Sequence, residues 1–271
     1  MGKFRKNKKT ASTARGKIDK AQNSMLKSMK KEIDELKGDI EAKYNIDVIA
    51  QQGIKPYDGS TDQSRQRGIN VVSIGDVQGT TDQQRIGDSV SLKHVDFNYQ
   101  LTMPYTTGSL VAQPATTVRA LLFWDNQPNA IITAGLTTTN RVYWPNLLQN
   151  CVLGATTVPE QKLVMLSEYD WDSRKRFSVI YDKTHTLAPS YSPGQATGGS
   201  ASDGGLGSRS CTGVIKFNKN YKRQKIRYTN GGGIPQNRQL YVAFISDAEV
   251  ATTTSRLPLV TYSLRTIYED L

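Results

Sequence analysis

The chain has little of what enzymes use at an active site. Among 271 residues there are two cysteines, Cys151 and Cys211, and two histidines, His94 and His185. The cysteines lie far apart and in no metal-like spacing, so free thiols are expected, with a disulfide left open. There is no G-x-S-x-G elbow, no P-loop and no H-E-x-x-H. Gly231–Gly233 lacks the strand-to-helix setting of a phosphate cradle. Acids pair up at Asp58/Asp62, Asp82/Asp88 and Asp170/Asp172, but none has the spacing of a calcium loop. No catalytic residue, metal ligand or cofactor is therefore assigned. Apolar runs are short as well. The densest, Ala120–Trp124, falls far below the roughly 18–20 residues a membrane-spanning helix needs, so no membrane insertion is expected. The N-terminal lysines are followed by no apolar segment of the kind a secretory signal carries.

Acidic charge is nearly missing from one place. Met1–Lys31 holds eleven bases and a single acid, Asp19, which is +10 of a formal net charge of +11. The remaining 240 residues carry 24 bases and 23 acids, a balance of +1. A near-neutral body with one concentrated cationic end points to a tail that meets polyanions, above all nucleic acid. The binding residues expected are Lys3, Arg5, Lys6, Lys8, Lys9, Arg15, Lys17 and Lys20. Residues 1–16 read as a basic arm, disordered until neutralised.

Leu26, Met29, Ile33, Leu36 and Ile40 step by 3, 4, 3 and 4, a short heptad seam. The spacing predicts an amphipathic helix over 17–46. Alone it is marginal, so it packs on its own body or on copies of itself. Residues 47–68, broken by Gly53, Pro56 and Gly59, read as a linker.

From 69 to 271 the period is that of strands: Ile69–Val77, Ser89–Thr102, Thr117–Trp124, Arg176–Asp182, Thr212–Phe217, Gln224–Thr229, Leu240–Ser246 and Leu259–Tyr268. Asn230–Gly233 signals a hairpin between the sixth and seventh. A short helix is expected near Pro145–Cys151, and Tyr191–Ser210 reads as a long exposed loop. Trp124, Trp144 and Trp171 are expected as core or interface anchors. His185 is expected to be structural or at the surface. Eight strands without alternating helices predict an all-β fold, a single eight-stranded antiparallel jelly-roll sandwich preceded by the arm and helix.

Several segments, in order, resemble the capsid proteins of circular single-stranded DNA viruses that encode a rolling-circle replication protein. These are the viruses whose shells are similar to that of satellite tobacco necrosis virus. The segments are Gln84–Val90, Val118–Pro128, Arg174–Phe177 with Tyr181–Thr184, Asn230–Gly232 and Leu240–Asp247. The resemblance implies a jelly roll that closes into a small icosahedral shell, with the basic arm facing the genome. In the simplest icosahedral shell, about 60 copies would bring on the order of 600 positive charges inside. Satellite-type shells place N-terminal helices in bundles beneath threefold axes, which the Leu26–Ile40 seam would suit. The chain departs from relatives with longer, arginine-rich arms, which leaves DNA or RNA open as cargo. The expected location is the virion, with Lys3–Lys9 also resembling a nuclear import signal; host and receptor are not legible.

A second class is a non-viral β-sandwich that binds nucleic acid as a monomer or small oligomer. Lys222, Arg223, Lys225, Arg227 and Tyr228 come nearest to its interleaved bases and aromatics, although their alternation also gives a solvated strand face. A third class, a jelly-roll carbohydrate binder or enzyme, lacks the ligand or acid–base residues it would require.

Overall fold

The computed structural model describes residues 8–38, 42–57, 68–103, 115–128, 142–151, 163–187, 210–216, 224–228, 235–248 and 257–270. Two compact units divide the chain, Met1–Ala42 and Lys43–Leu271. The first holds helix α1, Lys8–Gly38. It begins nine residues before the expected helix, inside the segment read as a disordered arm. Lys, Ala and Arg there are strong helix formers and no proline intervenes, so low hydrophobicity did not prevent helix formation. It stops at Gly38, where glycine favours termination.

Strand β1, Ala42–Gly53, follows and replaces both the end of the expected helix and the start of the expected linker. Its sequence alternates: Tyr44, Ile46 and Val48 are exposed, whereas Lys43 is buried and Asn45 and Asp47 are half-buried. That period of two, with β-branched and aromatic residues, outweighs the last heptad step. Lys43 is held by Asp270 (Nζ to Oδ2, 3.0 Å) and donates to the Gln84 carbonyl at 2.6 Å.

The other strands are β2 (Ile69–Val71), β3 (Ser89–Thr102), β4 (Thr116–Asp125), β5 (Phe177–Leu187), β6 (Ser210–Lys216), β7 (Gln224–Arg227), β8 (Gln239–Ser246) and β9 (Leu259–Asp270), with a short helix α2 at Trp144–Leu147. They form a mostly β body of two antiparallel sheets. The first runs β1-β9-β3-β6, and β7 also pairs with β3. Because β6 pairs with Asp96–Thr102 and β7 with Ser89–Leu92, the two occupy successive stretches of one edge. The second sheet runs β2-β8-β4-β5.

The hairpin expected at Asn230–Gly233 does not join sheet neighbours. Residues 229–234 lie outside the described residues. Tyr228 and Pro235 form one antiparallel bridge, after which the chain crosses to the opposite sheet for β8. The loop 191–209 also lies outside the described residues.

Between the sheets the core gathers Val95, Phe97, Tyr99 and Leu101 of β3, Val118, Ala120, Leu122 and Trp124 of β4, Leu240, Val242 and Phe244 of β8, and Tyr262 and Leu264 of β9. The Phe97 ring lies 5.8 Å from Tyr262 in an edge-to-face contact. A second core covers the far side of the second sheet, where Leu121, Phe123, Tyr241, Ala243 and Ile245 meet Trp144, Leu147 and Phe177. Strands β4 and β8 are thus buried on both faces, which is why they read as apolar runs instead of alternating. Gly68 is required at its position: its φ is +77°, and a Cβ would stand 2.1 Å from the Phe244 carbonyl oxygen.

Candidate nucleic-acid interface

On α1 the side chains described are those of residues 18–33, all exposed. Leu26 is 63% exposed, Met29 57% and Ile33 47%. At 3.6 residues per turn, Ile18, Met25, Leu26, Met29 and Ile33 fall within an arc of about 100°. Lys20, Lys27 and Lys31 fall on the opposite side, within about 40° of one another. The helix therefore presents an apolar stripe and a basic stripe. Of the expected binding residues, Lys8, Lys9, Arg15, Lys17 and Lys20 are on α1, whereas Lys3, Arg5 and Lys6 lie outside the described residues. Of the seam, Leu36 is on α1 and Ile40 lies outside.

In β3, β7 and β9 strand alternation divides the first sheet into a mostly apolar inner face and a polar, charged outer one. Phe97, Tyr99 and Leu101 turn inward and are buried; Asn98 and Gln100 between them are exposed. A register shift between Leu92 and His94 resets the alternation at Lys93. The carboxylates on this face are ion-paired. Arg265 holds Asp96 through Nη2 (2.5 Å) and Nε (3.2 Å), and His94 Nε2 stands 2.7 Å from the other Asp96 oxygen. Lys93 Nζ lies 2.5 Å from Glu269. Partial burial alone would raise the Asp96 carboxyl, but hydrogen bonds from Arg265 and His94 outweigh it and hold the group below its ordinary value. Across β7, Lys225 and Arg227 are exposed while Ile226 is buried.

Two further charged pairs fix the ends of β4. Arg176 grips Asp125 with Nε (2.9 Å) and Nη2 (2.7 Å), and the Gln127 amide donates to the same carboxylate at 2.9 Å. Arg119 binds Asp182 through Nε (2.9 Å) and Nη2 (2.6 Å) and donates to the Ser167 carbonyl at 2.7 Å. Tyr169 also donates to Asp182. The partners are 51 and 63 residues apart, and sequence reading assigned neither pair.

Trp124 and Trp144 are buried, whereas Trp171 is 69% exposed with the Arg174 guanidinium 3.7 Å above its ring. Cys151 is buried in the second core, and burial pushes its thiol up to about 12. Among the described residues no group of three or more His, Cys, Asp or Glu is arranged to hold a metal ion. None of the described helices is long and apolar enough to cross a membrane.

His185 is buried between the sheets, with Nε2 2.6 Å from the Tyr99 hydroxyl, which also meets Tyr181 at 2.7 Å. Burial, with help from nearby Lys183, depresses its pKa below 6.5. The unfolded chain therefore binds this proton more readily, and stability falls as pH drops below that value, until the folded pKa is passed. The His185→Gln chain is expected to lose less stability than wild type between about pH 7.5 and about pH 5, measured by urea midpoints; equal losses would exclude His185 as the titrating group.

No family model matches the chain, and no curated protein matches it.

Proposed function

We propose that this chain is a viral coat subunit that assembles with copies of itself into a small icosahedral shell and packages single-stranded nucleic acid through its basic N-terminal segment. The observation that carries the reading is the charge division: eleven bases against one acid in Met1–Lys31, joined to 240 residues of net +1. Such a segment neutralises phosphates with counterion release and little regard for sequence. The cargo is DNA or RNA, and the location is the virion, with the host nucleus during assembly.

The strand order supports the finer fold. With β6 and β7 counted as one lane, eight lanes pair as 1-8-3-6 and 2-7-4-5, the order of two interlocked Greek keys, which is the jelly roll. The exposed apolar stripe of α1 supports self-association of helices, since a stripe left in water marks a contact surface. Catalysis has no part in this reading.

Lys225 and Arg227 on the sheet face favour a second reading, a non-viral binding module. Sedimentation velocity of the full chain separates the two. A shell of about 60 copies of a 30.0 kDa chain sediments as a particle of about 1.8 MDa. A binding module stays at one or a few chains across salt and pH, and that result would overturn the coat reading.

A further inference from the structure

Between Lys216 and Tyr228 the sequence holds Lys216, Lys219, Lys222, Arg223, Lys225 and Arg227 and no acid. Strand β7 fixes two of these bases. Lys225 stands opposite Ser91 and Arg227 opposite Ser89, so both project from the outer face of the first sheet, about 6.8 Å apart along the strand. Buried Ile226 between them locks that orientation. The backbone at this edge is already occupied: the Asn237 side chain accepts from the Arg227 amide at 2.8 Å and donates to the Lys225 carbonyl at 2.9 Å. An added strand would find these two groups taken, and side-chain charge is what the edge offers.

Among the described residues the carboxylates of this face are engaged elsewhere. Asp96 is committed to Arg265 and His94, and Glu269 to Lys93. Among the described residues Lys225 and Arg227 have no ion-pair partner. About 30 Å away along β3 the same face becomes uncharged but rich in hydrogen-bonding groups. Asn98 pairs in register with Ser263, and Gln100 with Thr261; Asn98, Gln100 and Thr261 are exposed. Half-exposed Lys93 and exposed Arg265 lie between the two ends.

We propose that this outer face is a second contact surface for single-stranded nucleic acid, with phosphates on Lys225 and Arg227 and base edges over Asn98 and Gln100. Amide side chains offer paired donors and acceptors that match base edges. A sulfated polysaccharide would draw on the cations alone. The surface belongs to the folded body and does not depend on shell formation.

The test uses the full chain and a labelled thymidine oligonucleotide, titrated at several salt concentrations. Each phosphate contact contributes about 0.7 to the slope of log affinity against log salt, so Lys225→Ser with Arg227→Ser lowers its magnitude by about 1.4. Affinity falls, while the thermal midpoint, the control for folding, is unchanged. Asn98→Ala with Gln100→Ala weakens oligonucleotide binding and leaves heparin binding as it was. An unchanged slope in the double cation variant overturns the proposal. A heparin loss equal to the oligonucleotide loss in both variants makes the face a general polyanion surface and overturns it as well. Sedimentation of the same samples reports assembly separately, so failure to form shells is not confused with failure to bind here.

Discussion

Asp125→Ala is expected to cost about 3–5 kcal/mol of folding stability, because it strands a buried guanidinium. Asp125 is fully buried, and its carboxylate takes two hydrogen bonds from Arg176 and one from the Gln127 amide. Truncation leaves Arg176, itself about one-tenth exposed, without its counter-charge, and removes the acceptor that closes the turn after β4. A domain is stable by only about 5–15 kcal/mol, so the loss consumes a large share of it. The double replacement Asp125→Leu/Arg176→Met removes both charges and keeps apolar volume. It is expected to lose much less than the single variant, retaining mainly the cost of the unsatisfied Gln127 amide, about 1–3 kcal/mol. Urea midpoints of the three chains decide the matter. A single-variant cost below about 1 kcal/mol would show that water reaches the guanidinium and that the pair does not clamp β4.

Deleting residues 1–20 is expected to produce the largest functional change. The deletion removes Lys3, Arg5, Lys6, Lys8, Lys9, Arg15, Lys17 and Lys20 and one acid, taking formal net charge from +11 to +4. In the proposed shell of about 60 copies, that would withdraw about 420 positive charges from the cargo. Every strand of the body and the seam from Leu26 onward remain, so particles still form and co-purifying nucleic acid falls towards none. Replacing the same eight bases by glutamine, at full length, should act alike, which separates charge from chain length. Equal nucleic-acid content in wild-type and deleted particles would refute the role of this segment.

How far the fold was legible depended on whether a signal was local. Strand β3 is observed at Ser89–Thr102, as its alternation predicts, and β8 and β9 within a few residues of expectation. Strand β1 escaped because a heptad seam runs up to it, and its own alternation, Tyr44-x-Ile46-x-Val48, was absorbed into helix and linker. The sequence Asn230–Gly233 signals a reversal but not which sheet the next strand joins; that is settled by burial, since β8 is apolar on both faces and needs a core on each side. The charge division of the candidate interface was plain in composition. The Lys225–Arg227 edge was visible as bases, but its lack of counter-charges follows only from pairings across β3 and β9. The Asp125–Arg176 clamp joins residues 51 apart, and no periodicity encodes it.

The measurement closest to the central claim is negative-stain microscopy of the purified full chain, with absorbance at 260 and 280 nm on the same fraction. Uniform spheres of virus size with a nucleic-acid-dominated absorbance are the predicted result. A small monodisperse species with the absorbance of protein alone, unchanged across salt and pH, would contradict it.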